Sequence, residues 1–347
     1  MYPSNVIEAL DSGHWIAVMT GYLVHLAVIA AYMYGLEAFK GQNLIQICLN
    51  SGKLIAAALL LPTAAYLTIA AITTVRAYSE IITLVFLSNT PLWSIMLLLV
   101  AIAGYLASLG LEAIFRTGVM LAVLFIPPLL FIVCTSFKNV DWHYLLPLAD
   151  RESATLSFVA KRPFLESLFA FAGGFLFLGF VQPALAYKRK RVLQASMLLV
   201  PMFLLSVYVP LLTFGRQTAS RFQFPYIMAI DTIDMRWIMF ERINLFFLLS
   251  VVTFVTLFLS LLLWKVSRIV SLNKLDGKLS KFRVPAVAVL AGAIFIVCLQ
   301  IPDWERVSEL MWWNTYLRLY IIVVIPAAVL VLGIRRRRKV GLHGMER

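Results

Sequence analysis

The chain has 347 residues, of which 62% are hydrophobic and only 14% charged, and its formal net charge is +13. Soluble domains carry charged residues at about a quarter of their positions, so this composition excludes an ordinary soluble fold and indicates a multi-pass membrane protein. The basic excess does not indicate nucleic-acid binding, because the cations lie at the ends of apolar stretches and not on one folded basic face.

Apolar stretches long enough to cross a bilayer, which takes about 20 helical residues, follow one another along the chain. Continuous runs of this kind favour helices over porin strands, because lipid leaves backbone groups no partner outside their own segment. Most of the 30 Lys and Arg residues fall in alternate connections, which places the C-terminus in the cytoplasm. The nine complete spans that we predict lie at about 15–35, 54–86, 91–109, 113–134, 164–187, 192–214, 243–264, 284–300 and 311–334.

Nine spans with a cytoplasmic C-terminus leave residues 1–13 outside, and this segment has no signal-peptide pattern. Two explanations are open. The segment is the outer half of a spanning helix whose other half is absent from this chain, which we favour, or the N-terminus is translocated without a signal.

The long external connection 135–163 divides the spans into two sets. Inverted repeats need an odd number of spans each, so five plus five fits if the N-terminal segment is the remnant of helix 1. A second external segment, 215–242, predicts an interfacial or re-entrant helix that begins near Pro225. The predicted organisation is residues 1–134 as first repeat (half of helix 1 plus helices 2–5), 135–163 as external loop, 164–334 as second repeat (helices 6–10) and 335–347 as basic cytoplasmic tail.

Gly173 and Gly174 stand near the middle of the first span of the second repeat. Such repeats commonly break their first helix at the membrane midplane, so the pair predicts an unwound segment. Close packing of small residues against a neighbouring helix is the alternative. An unwound segment can hold the carboxylate of an amino acid on helix N-terminal N–H groups and its ammonium on freed carbonyls.

Further residues are candidates to line this ligand site. Phe171 and Phe175 bracket the glycines and can form an apolar pocket, although ordinary packing explains them equally well. Hydroxyl groups in membrane helices often bond their own backbone, which is the alternative for the Thr residues. The other candidates are Tyr66, Thr253, Thr256 and Ser4.

Ionisable side chains inside membrane spans are costly unless they are paired or wetted. Arg76 and Glu80, spaced i,i+4, predict either a gate or proton path or a structural ion pair. Glu112 and Arg116 have the same spacing at a helix start, where a structural clamp is favoured. Arg318 is expected to pair with Glu309 or to extend outward.

The cysteines and histidines of the chain form no metal-binding or catalytic pattern. The sequence likewise shows no nucleophile with a base at one depth. We therefore expect no metal, no cofactor and no catalytic residue, and we do not expect an enzyme.

Residues Val75 to Arg116 resemble the B subunit of bacterial spore germinant receptors. The resemblance rests on the Arg76/Glu80 pair, the Thr90-Pro91 turn and the pattern formed by Tyr105, Gly110, Glu112 and Arg116. Two later segments follow in the family's order, namely Asn139–Leu148 and Phe224–Asp231. Where the family has an acidic residue near the break of helix six, this chain has Gly174.

This resemblance implies an all-α polytopic membrane protein with a LeuT/APC-like 5+5 inverted repeat and, here, a truncated first helix. It also implies a germinant-sensing subunit of the spore inner membrane that binds an amino acid and assembles with A-type and C-type subunits. A proton- or sodium-coupled amino acid transporter of the APC superfamily is the alternative function, because sensing and transport can use the same site.

Overall fold

The computed structural model of the protein describes residues 2–39, 41–182, 187–232, 244–272, 274 and 282–345. Within these ranges the regular elements are helices and no strand occurs. The α-helices are α1 (Tyr2–Ala9), α2 (His14–Leu36), α3 (Leu44–Asn50), α4 (Lys53–Val85), α5 (Leu92–Leu109), α6 (Leu111–Ser136), α7 (Arg151–Thr155), α8 (Arg162–Ser167), α9 (Phe169–Val181), α10 (Arg189–Ser196), α11 (Leu199–Phe214), α12 (Arg216–Ala219), α13 (Pro225–Asp231), α14 (Asn244–Val270), α15 (Arg283–Leu299) and α16 (Trp304–Met345).

Seven helical stretches of the described chain are long and apolar enough to cross a membrane. They are His14–Phe39, Lys53–Val85, Leu92–Leu109, Leu111–Asn139, Arg189–Phe214, Phe246–Val270 and Trp304–Arg338. α15 is a shorter apolar helix of 17 residues. The chain is therefore an all-α polytopic membrane protein, as predicted, whereas its division into five-plus-five repeats stays a prediction.

Two of the predicted spans contain more than one helix. The span expected at 164–187 contains the end of α8 and all of α9, which are separated at Leu168. The span expected at 192–214 consists of α10 and α11, with a short turn between them at Met197 and Leu198. The helix expected near Pro225 is α13, and proline is its first residue because the fixed φ of proline suits a first helical turn.

The chain forms two compact units, and each draws on both halves of the sequence. The first unit comprises Met1–Thr63, Asp141–Tyr226 and Thr315–Arg347. Within it α1 packs against α8 and α11, and α2 packs against α9 and α11.

The second unit comprises Ala64–Val140 and Ile227–Asn314. Its α5 packs against α14 and α15, and α6 packs against α14. A small cavity at its centre is lined by apolar side chains that include Val100, Leu259 and Ile294. Lipid is as apolar as the protein core, so the hydrophobic effect does not drive helices together in a membrane. Close side-chain packing of this kind holds them together instead.

Two connections bound α5 in the second unit, and the first is the Thr-Pro turn named in the sequence analysis. Thr90 donates its N–H to the carbonyl of Leu87 at 2.9 Å, and α5 begins directly after Pro91. Gly110 joins α5 to α6 with a φ of 98°, a conformation that side-chain-bearing residues rarely adopt. The Thr-Pro turn and this glycine thus fix where α5 begins and ends.

The segment before α8 is held within the first unit by two hydrogen bonds. Trp15 of α2 donates its indole N–H to the carbonyl of Leu148 at 3.0 Å. Asp150 caps α7 by accepting the Ser153 N–H at 2.7 Å, and this hydrogen bond holds the pKa of Asp150 below its usual value. These contacts therefore fix the position of the segment that leads into α8.

Candidate functional site

The interruption of the predicted sixth helix lies between α8 and α9. α8 ends at Ser167 and α9 begins at Phe169, and Leu168 between them keeps right-handed helical angles (φ −61°, ψ −8°), so the interruption is a one-residue distortion and not an unwound segment. Gly173 and Gly174 lie inside α9, so the expected unwinding at the glycine pair is wrong. Each glycine weakens a helix by about 1 kcal/mol, but an open backbone group in lipid costs several kcal/mol, so the helix continues through both.

Arg318 of α16 holds the end of α8. Its side chain is buried, with 2% of its surface exposed, and its Nη1 donates to the carbonyls of Glu166 at 2.7 Å and Leu165 at 3.4 Å. The last carbonyls of a helix have no partner within the helix and carry its negative dipole end, so a cation is favourable there. Arg318 therefore stabilises the interruption itself.

The pairing of Arg318 with Glu309 that the sequence suggested is wrong. Glu309 accepts from Arg306 at 2.9 Å, three residues earlier on the same helix. Outward extension is also excluded by the burial of Arg318. Backbone carbonyls at a helix end accept from Nη1 of Arg318, where the sequence suggested a carboxylate.

α1 lies beside α8 and is fixed at its C-terminal end by two cations. Lys161, directly before α8, donates to the carbonyl of Ala9 at 3.1 Å, and Arg216 donates to that of Leu10 at 3.2 Å. The end of α1 thus lies beside the start of α8, and the two helices pack against each other. Ser4 is half-buried in the first half of α1.

The residues predicted on α9 have different surroundings. Gly174 is exposed, and a Cβ added there would meet no described atom within 4 Å. A Cβ at Gly179 would instead clash with the Tyr32 hydroxyl and approach Leu44. Gly179 is thus the glycine of α9 that permits close helix packing, and this explanation does not apply to Gly174.

Phe175 is a packing residue of the first unit. It is 1% exposed, and its ring meets that of Tyr32 edge to face at 5.3 Å between centroids. The side chain of Phe171 and the surroundings of Gly173 lie outside the described part of the structure.

The remaining predicted ligand residues belong to the second unit. Tyr66 of α4 is buried, and Thr253 of α14 is half-buried. The hydroxyl of Thr256 donates to the carbonyls of Val252 and Thr253 at 2.9 Å each, which is the local alternative foreseen for it. A ligand site that includes both these residues and those of the first unit stays a prediction.

The Arg76–Glu80 pair is formed and buried in the second unit. The closest oxygen–nitrogen distance is 2.7 Å, and the two side chains are 3% and 19% exposed. Arg76 also donates to the carbonyls of Ile301 at 3.2 Å and Pro302 at 3.1 Å. These bonds attach α4 to the segment after α15, which supports the structural interpretation of the pair.

The Glu112–Arg116 pair is also formed, but it lies on the surface of α6. Its side chains are 78% and 79% exposed. A solvent-exposed ion pair contributes about 0–1 kcal/mol, and the clamp that the sequence suggested stays a prediction.

Among the described residues no group of three or more His, Cys, Asp or Glu side chains could hold a metal ion. The first unit combines a one-residue helix distortion with a buried arginine and with α1 as the neighbouring helix. Such features can hold a small charged ligand.

Comparison with known proteins gives one match. The family model described as spore germination protein matches residues 1–304. A search of curated proteins found no significant match.

Proposed function

The chain belongs to the spore germination protein family, and on this basis we propose that it is the germinant-sensing subunit of a receptor in the spore inner membrane. Its ligand is an amino acid, its C-terminus faces the cytoplasm, and it assembles with A-type and C-type subunits. Family membership and the membrane-spanning helices support this proposal.

The observation that carries the proposal is the contact of Arg318 with the end of α8. Arginine stays charged at all physiological pH values, and its planar group matches a carboxylate in two-point contact. The carbonyls of Leu165 and Glu166 already accept from Arg318. We therefore assign the ligand's carboxylate to Arg318 at this interruption, whereas the sequence suggested helix N-terminal N–H groups for the carboxylate and freed carbonyls for the ammonium.

A bound ligand competes with the backbone carbonyls of α8 for the guanidinium of Arg318. A carboxylate bonds a guanidinium more strongly than a neutral carbonyl does, so the ligand draws Arg318 away from the end of α8. Release of those carbonyls alters the α8–α9 interruption and shifts the protein toward a second packing. The ligand needs only to bind this second packing better than the first. No covalent step is required.

A spore assay tests this mechanism. We expect spores carrying Arg318→Lys to need a higher concentration of an effective amino acid, and spores carrying Arg318→Met not to respond, over a panel of the protein amino acids. Arg306→Lys is the matched control, since Arg306 lies on the same helix but is 66% exposed. A normal dose–response from both Arg318 variants, with normal protein amounts by immunoblot, contradicts the proposal.

The rival function is amino acid transport through the same site. Reconstituted vesicles with a labelled panel of amino acids distinguish the two. Uptake driven by a proton or sodium gradient, together with normal germination of spores that lack the gene, would identify a transporter. Absence of uptake with a germination defect is the result that we expect.

A further inference from the structure

Two basic runs that are far apart in the sequence meet around Tyr34 in the first unit. The guanidinium carbon of Arg189 lies 5.9 Å from the centroid of the Tyr34 ring, and that of Arg337 lies 4.2 Å from it. Arg337 also donates to the Tyr34 carbonyl at 3.0 Å. Arg336 lies over the ring of Phe39 at 5.0 Å. We call the surface formed by these runs the basic collar.

The collar carries far more positive than negative charge. Its eight cations are all exposed, and Glu37, 3.4 Å from Arg337, is the carboxylate in ionic contact with them in the described structure. Neighbouring cations of this density repel each other within the screening length of about 8 Å. The cations are Lys188, Arg189, Lys190, Arg191, Arg335, Arg336, Arg337 and Arg338.

The packing of α2 on α16 brings the collar together. A Cβ at Gly35 would lie 2.8 Å from the backbone nitrogen of Leu330, and one at Gly333 would lie 2.7 Å from the carbonyl oxygen of Gly35. Only glycine permits this approach of the two backbones. The position of Arg337 over Tyr34 therefore follows from tight helix packing and not from a free tail.

The collar lies at the boundary between membrane and water. Three apolar stretches end there: His14–Phe39 ends beside Tyr34, Arg189–Phe214 begins with the first basic run, and Trp304–Arg338 ends with the second. Tyrosine and arginine are typical of this level, where lipid phosphates are concentrated. The positive-inside rule requires only that cations lie on one side of the membrane. It does not explain why two arginines contact the ring of the same tyrosine.

We propose that the basic collar binds the phosphate of an anionic phospholipid headgroup. A phosphate between Arg189 and Arg337 relieves their mutual repulsion and matches the planar guanidinium in two-point contact. Lysine and arginine side chains near an anionic membrane surface are attracted to its lipid headgroups. The bound lipid holds the ends of α2, α10 and α16 together.

Thermal unfolding of the purified full chain in detergent tests the proposal with two lipids of identical acyl chains. We expect phosphatidylglycerol to raise the unfolding midpoint of the wild type more than phosphatidylcholine does. The double variant Arg189→Gln/Arg337→Gln should lose this difference. The control Arg221→Gln/Arg306→Gln, which removes the same charge from two exposed arginines elsewhere, should keep it.

Three results would overturn the proposal: equal shifts from the two lipids, a phosphatidylglycerol effect that persists in the collar variant, or the same shift from inorganic phosphate. A collar variant that keeps the phosphatidylglycerol effect yet loses the spore response would identify a protein-contact surface instead. If the double variant does not fold, Arg189→Gln alone leaves the Arg337 bond to Tyr34 in place and should lose part of the shift. Native mass spectrometry of the wild type should show phosphatidylglycerol retained in preference to phosphatidylcholine.

Discussion

Each unit contains a buried arginine that donates to two backbone carbonyls near a helix end. Arg76 binds the carbonyls of Ile301 and Pro302 and pairs with Glu80 on its own helix. Arg318 binds the carbonyls of Leu165 and Glu166 at the interruption between α8 and α9. The first arrangement joins two elements with a local ion pair, whereas the second places a permanent cation at an interrupted helix. We infer that Arg76 serves stability and Arg318 serves ligand response.

The largest expected effect on stability is at Arg76. Arg76→Met leaves Glu80 and two carbonyls without their cation, and loss of one partner of a buried pair costs about 3–5 kcal/mol. Thermal unfolding in detergent measures this cost, and Arg116→Met is the control on an exposed pair. A comparable loss of stability in the two variants would mean that the buried ion pair contributes no more to stability than the exposed one.

The second prediction distinguishes the roles of the two buried arginines, Arg76 and Arg318. Arg318→Met removes the charged donor to the carbonyls of Leu165 and Glu166, and a hydrogen bond to a charged group contributes about 1.5–3 kcal/mol. For Arg318→Met, the germinant response should fall by more than the amount of folded protein does. For Arg76→Met, the response should fall only in proportion to the amount of folded protein. Response divided by folded protein per spore is the quantity to compare. The same ratio for both variants would remove the functional distinction.

The glycines of α9 give a smaller contrast within the first unit. Gly179→Ala should destabilise the protein by about 1–3 kcal/mol, because the new methyl group clashes with Tyr32. Gly174→Ala should leave stability unchanged or raise it by up to about 1 kcal/mol, since its Cβ meets open space. Gly174→Leu, expected to fold, should still shift the germinant dose–response to higher concentration. A normal response from this variant would exclude Gly174 from the ligand site.

The smallest expected effect is at the exposed pair of α6. Glu112→Gln should change stability by less than about 1 kcal/mol, because solvent and salt screen the pair. Unfolding at low and high salt should give the same small difference. A large loss would mean that this surface is covered in the assembled receptor.

Local patterns predicted the features that depend on nearby residues. The apolar stretches, the start of α13 at Pro225, the Thr90-Pro91 turn and the Arg76–Glu80 bond each follow from a window of a few residues. Long-range geometry set the rest. The interruption falls at Leu168, which has no residue type that marks a break, because Arg318 compensates the carbonyls there from a distant helix.

The same limit applies to the partners of charged residues. An arginine within the apolar run of α16 marks a site by its cost in lipid, and the sequence does show that signal. Its acceptors are backbone carbonyls 152 positions away, and every residue type carries such a carbonyl. No spacing rule can identify them, just as none predicts that Arg189 and Arg337 meet on one tyrosine ring.

The most direct test of the central claim is ligand-induced stabilisation of the purified protein by the protein amino acids, measured in parallel for wild type, Arg318→Lys and Arg76→Lys. We expect the amino acid that germinates the spores to raise the unfolding midpoint of the wild type and of Arg76→Lys but not of Arg318→Lys. An equal rise for the wild type and Arg318→Lys would contradict a ligand site at the α8–α9 interruption.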